Sequence, residues 1–124
     1  MLSNDHVDAL VTALLAVNAY PVDKVWAALP AMRKAGLLDH HQVVGHDLGE
    51  VTVRLAQCGY DRGMLTSLLA GRLQDLMTAI QAGKLAALPP LVQAGDRAAA
   101  EALLQTVKGI GPRVANVAWQ LLAP

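Results

Sequence analysis

Apolar residues along this chain return every three or four positions, and the pattern breaks where proline or glycine stands. Val7, Leu10, Val11, Leu14 and Leu15 hold the i, i+3, i+4, i+7, i+8 spacing that lays one stripe of an α-helix against a core. Leu65, Leu68, Leu69, Leu73, Leu76, Met77 and Ile80 keep the same period over the longest uninterrupted stretch. Sheets draw on β-branched and aromatic side chains, whereas Phe is absent here, aromatics make up 3% and Leu with Ala supplies 43 of 124 residues. The fold class expected is all-α, a compact bundle of about six to eight helices. At 13.0 kDa the chain has room for one core, so residues 1–124 read as a single domain.

The punctuation sets the helix boundaries. Ser3 or Asn4 caps the first helix, which stops before Pro21. Pro21 suits the first turn of a second helix with Val22, Val25, Trp26 and Leu29 on its apolar face, until Pro30 bends or breaks it and Gly36 closes the unit. After a short polar turn, Asp47 and Glu50 have capping-box spacing and open a helix through Val51, Leu55 and Ala56 that stops near Gly59. Asp61 restarts the pattern, and the longest helix should run from about Arg62 to Ala82, ended by Gly83. Pro89 and Pro90 mark a turn with one short helix around Leu91, and Asp96 caps an Ala-rich helix from Arg97 to Val107. Pro112 then stands at the first position of a last helix carrying Val114, Val117, Ala118, Leu121 and Leu122.

Several function classes fall away. The run Val7 to Ala19 carries Asp8, Thr12 and Asn18 and is shorter than the ~20 apolar residues of a spanning helix. The leader Met1 to His6 lacks the Lys or Arg of a secretory n-region, so a cytoplasmic location is expected. With Cys58 alone, an intramolecular disulfide, a Cys-built zinc site and a four-cysteine iron–sulfur cluster are excluded. A net charge of zero means that any nucleic-acid contact must be local.

The segment from Leu103 to Ala118 carries the most information. Two helical stretches flank Lys108-Gly109-Ile110-Gly111, a Gly-hydrophobic-Gly turn. Glycines permit φ > 0 and close backbone approach, so the turn's N–H groups can face outward while Ile110 anchors it in the core. The next helix N-terminus adds positive potential, and Lys108 and Arg113 add charge that reads no base sequence. The plainer alternative is that Gly109 and Gly111 merely end one helix and begin the next.

This segment resembles the helix-hairpin-helix motif, and its setting is similar to the six-helix domain of the endonuclease III-like DNA glycosylase superfamily. Leu10-Val-Thr-Ala-Leu-Leu-Ala-Val-Asn-Ala-Tyr20 resembles the family's first barrel helix, and Gly59-Tyr60-Asp61-Arg62 its Gly-aromatic entry to the long central helix. The resemblance implies a scaffold that binds double-stranded DNA through the sugar–phosphate backbone, with Lys108, Gly109, Ile110, Gly111 and Arg113 at the contact. Arg62 and Asn18 are added, the latter at the position of the family's gap-filling glutamine. Similar motifs hold a monovalent cation at the hairpin carbonyls, the one cofactor the resemblance brings with it. Bifunctional members form a Schiff base through a lysine where Arg113 stands, and an arginine that stays protonated to a pKa above ~12 offers no free amine. Monofunctional members keep an aspartate beyond the second hairpin helix, which this chain does not reach before Pro124, and the family's second domain, with the cysteine cluster some members carry, is expected to be missing, so the resemblance implies a DNA-binding scaffold without the family's known chemistry.

Other candidates have plainer readings. Asp39, His40, His41, His46 and Asp47 fall within nine residues and invite a metal, but adjacent histidines diverge on a helix and Asp47 serves better as a cap. Cys58 reads as a small buried hydrophobe, Asp61 as a cap, and Tyr20 and Tyr60 as packing residues more than base-stacking ones. Arg62, Arg72, Lys84, Arg97, Lys108 and Arg113 are the basic residues near the segments expected to approach DNA, and they cannot all share one face. The resulting expectation is a non-catalytic, largely sequence-independent DNA-binding protein in repair or damage recognition. The alternatives are a glycosylase with non-standard residues or completed by a partner chain, and a protein-interaction module or homodimer.

Overall fold

The computed structural model describes residues 2–123, which form α1 (Asn4–Leu15), α2 (Val22–Lys34), α3 (His40–Gly45), α4 (Leu48–Gln57), α5 (Met64–Gln81), α6 (Leu88–Gln93), α7 (Arg97–Leu104) and α8 (Pro112–Leu122). Among the described residues there is no strand, and no helix is long and apolar enough to cross a membrane. The all-α expectation holds.

α1 is the central element. Its residues Ala9 to Leu15 are all buried, wider than any single stripe, because α2, α5 and α8 each pack against it. α3 and α4 lie on α5, while α6, α7 and α8 pack in succession. Side chains close the orphan N–H groups at several helix starts. Ser3 and His6 form a capping box, and Asp39, Asp47 and Asp96 accept from His41, Glu50 and Ala99.

The structure corrects five sequence expectations. Pro30 neither ends nor breaks α2, which continues to Lys34. Trp26 supplies the carbonyl that Pro30 leaves without a donor, and both residues are exposed, on the side of the helix away from the core. Trp26 is 52% exposed and not part of the apolar face, which is the narrower stripe Val25, Leu29 and Met32. The polar stretch before Asp47 is the short helix α3, capped by Asp39 and held on α5 through buried Val43. α5 begins at Met64, after Gly63 at φ +64°, and α7 stops at Leu104, three residues short of Val107.

Candidate nucleic-acid interface

The turn between α7 and α8 is built by tight backbone bonds. Thr106 N–H donates to Leu103 O, Val107 N–H to Leu104 O and Ile110 N–H to Val107 O, each at 3.1 Å. Val107 (3% exposed) and Ile110 (6%) sit in the core and fix the turn from beneath. Lys108, Gly111 and Arg113 are exposed above it. Among the described residues, the N–H groups of Lys108, Gly109 and Gly111 donate to no intramolecular acceptor, and the amino end of α8 has no side-chain cap. Lys108 and Arg113 pair with no carboxylate among the described residues.

The two glycines differ. Gly109 adopts φ +93°, where only glycine is at ease, and a Cβ there would stand 3.2 Å from Arg72 Cγ and 3.3 Å from Cδ. The aliphatic stem of Arg72, on α5, therefore lies across the turn. Gly111 is extended at φ −94° and ψ −173°, with nothing within 4 Å of an added Cβ. Positive φ is thus required at one glycine and not at the other. The carbonyls of Leu104, Val107 and Gly111 each accept an N–H of the chain, while Leu103 O accepts both the N–H and, at 2.6 Å, the hydroxyl of Thr106, so a monovalent cation there would use the second lone pairs of the first three.

A small cleft of about 170 Å³ adjoins the turn, lined by Asp75, Thr78, Ala79 and Ala82 of the α5 side and by Lys84, Val107 and Lys108. Lys84 is exposed but fixed at its backbone, its N–H donating to Ala79 O at 3.0 Å and buried Leu85 following it. Sequence reasoning gave Arg72 and Lys84 no place at the turn itself. Their period along the chain gives no sign that α5 faces it.

The other candidates are committed elsewhere. Arg62 donates to Val17 O at 2.7 Å and Asn18 O at 3.2 Å and stacks 4.7 Å over Tyr20, tying down the α1–α2 connection. Asn18 is exposed at φ +57°, beyond the end of α1, and its carbonyl is brought together with Arg62. Tyr60 is 1% exposed, its hydroxyl donates to Leu15 O, and its ring meets Tyr20 edge-on at 5.0 Å, so it is a packing residue. Burial pushes its phenol above the ordinary value, against the opposing pull of Arg62. Burial likewise raises the Cys58 thiol. Asp61 accepts from Gly63 N–H at 3.0 Å and shapes the entry to α5.

Among the described residues no group of three or more His, Cys, Asp or Glu side chains could hold a metal. His40 and His41 do not diverge as expected, their rings lying 4.1 Å apart between centres and tilted by 41°, and the Gln42 amide leads the contacts that hold the Asp39 carboxyl below its ordinary value. A larger cleft of about 590 Å³ runs between the start of α1, the end of α2, α3 and the end of α5. Its charged groups satisfy neighbours already, Arg33 pairing with Asp8 and Asp39 accepting from Gln42. Comparison of the chain with protein-family models, with curated proteins and with solved structures found no match.

Proposed function

We propose that this protein is a non-catalytic module that binds double-stranded DNA through its sugar–phosphate backbone, related to the helix-hairpin-helix DNA glycosylases and at work in repair or damage recognition. The observation that carries the reading is the turn at Lys108 to Gly111. Its free N–H groups, the uncapped end of α8 and two unpaired cations stand together on a backbone pinned by Val107 and Ile110. Such a surface suits a phosphate oxygen and reads no base edge. Arg113 in place of a Schiff-base lysine favours binding over cleavage.

Fluorescence anisotropy with matched duplexes, with and without an abasic-site analogue, tests the proposal over a salt series. Affinity should fall log-linearly with salt, and Lys108→Ala should reduce the slope by about 0.9, the loss of one phosphate contact. Gly111→Ala should weaken binding in a fully folded protein, because a methyl group there obstructs approach to the N–H groups without meeting any atom of the chain. No binding at low salt refutes the reading.

A second reading rests on a different surface. Met64 (96% exposed) and Leu68 (50%) are one turn apart on α5, and Leu48 (42%) extends the patch towards Gly71, 3.7 Å from a Cβ built there. Self-association through this face is the alternative, and a mass in sedimentation equilibrium that stays monomeric at every concentration excludes it.

A further inference from the structure

We infer that the DNA-contacting edge extends beyond the hairpin along α5, with Arg72 and Lys84 as two further phosphate contacts that flank Lys108. The inference rests on the reading of the hairpin as a duplex contact. The face of α5 turned to the hairpin is defined by Arg72, whose stem crosses Gly109, and by Asp75, Ala79 and Ala82, which line the cleft with Lys108. Arg72 is half-buried, and its guanidinium, bonded directly to the Cδ that lies 3.3 Å from a Cβ built on Gly109, has no hydrogen-bond or carboxylate partner among the described residues. Lys84 closes the other end of the row, its backbone held by the end of α5. From Arg72 to Ala82 the helix rises about 15 Å, which no single phosphate covers and which corresponds to roughly four base-pair steps of about 3.4 Å.

Asp75 belongs to the same face and opposes the row. It lines the cleft with Lys84 and Lys108 and forms an ion pair with neither. The four groups therefore carry three positive charges and one negative, on a chain whose net charge is zero. A phosphate at the rim meets the ammonium and guanidinium groups, while the carboxylate weakens every such contact by Coulomb repulsion. Loss of a cation from this row and loss of the carboxylate must act in opposite directions, which a merely structural role for these residues would not produce.

The test uses the full chain and a short fluorescein-labelled duplex of arbitrary sequence. Arg72→Met keeps the stem on Gly109 and removes the charge; Lys84→Met does the same at the other end. Each should lower affinity about eightfold at ~0.1 M monovalent salt and take about 0.9 off the salt slope. Asp75→Asn should raise affinity. Lys34→Met, on α2, removes one positive charge elsewhere and should leave the slope unchanged. Urea unfolding of each variant checks that the fold is retained, and Lys84→Met decides the matter if Arg72→Met disturbs the turn. If the wild type binds and Lys108→Ala weakens it, but Arg72→Met and Lys84→Met match Lys34→Met, the extended edge is wrong and the hairpin contact stands. If the wild type binds no duplex at low salt, both fall.

Discussion

Substituting the two hairpin glycines one at a time should give opposite effects on stability. At Gly109 an alanine must hold φ +93°, a strain of about 1–3 kcal/mol, and its Cβ must push the Arg72 stem from 3.2 Å. At Gly111, alanine takes up extended backbone suited to a residue before proline, in open space. There it restricts only the unfolded chain, for a gain of about 0.4–1 kcal/mol. The two variants should differ by about 2 kcal/mol or more, equal to a separation of roughly 1 M in urea midpoint for a slope of about 1–3 kcal/mol/M. Urea titrations followed by far-UV circular dichroism measure this directly. Gly109→Asn separates the two costs, since asparagine tolerates positive φ better but carries the same Cβ into Arg72. Equal midpoints for the two alanine variants, or a larger loss at Gly111, would refute the assignment of conformational demand to Gly109 alone.

Three other outcomes follow from the core. Thr12 is fully buried and its hydroxyl has no partner among the described residues, so Thr12→Val, of nearly the same shape, should stabilise the protein by about 1 kcal/mol; a lower urea midpoint would contradict this. Tyr60→Phe removes the donor to Leu15 O and should cost about 1–2 kcal/mol. Because the folded phenol is raised above its ordinary 10.0, its contribution is fully present below that pH and is lost as pH rises through the folded value. The alkaline fall in stability should therefore be shallower in Tyr60→Phe than in the wild type, as read from pH-dependent unfolding midpoints. Cys58, with its thiol raised by burial, should react with iodoacetamide more slowly at neutral pH in the folded protein than in urea, and equal rates by mass spectrometry would contradict its placement.

Features written in short-range chemistry are legible in the amino-acid sequence itself. The Asp47 cap, the Asp96 cap, the stop at Gly83 and Pro112 at the head of α8 each depend on residues within a turn of one another. Ile110 as anchor is legible for the same reason. What the sequence does not disclose depends on neighbours distant along the chain. Pro30 is tolerated because Val25, Leu29 and Met32 hold both halves of α2 in the core, a force that no local rule for proline contains. The polar stretch at His40 becomes helix because α5 offers Val43 a place to bury. The reach of Arg72 across Gly109 joins positions far apart in the chain, so neither residue type nor spacing announces it. The sequence suggests Arg62 as a DNA contact, and nothing in its spacing announces its engagement with the carbonyls of Val17 and Asn18.

The pairing of α1 with α8 has a consequence for how the molecule is made. A ribosome releases the central helix first and its last partner some hundred residues later, at about 5–20 residues per second. During those seconds the nascent chain carries α1 as a segment whose seven consecutive core residues have no complete seat. Substitutions in α8 should accordingly show themselves in the cell as aggregation of newly made protein, even where the purified, fully folded molecule tolerates them.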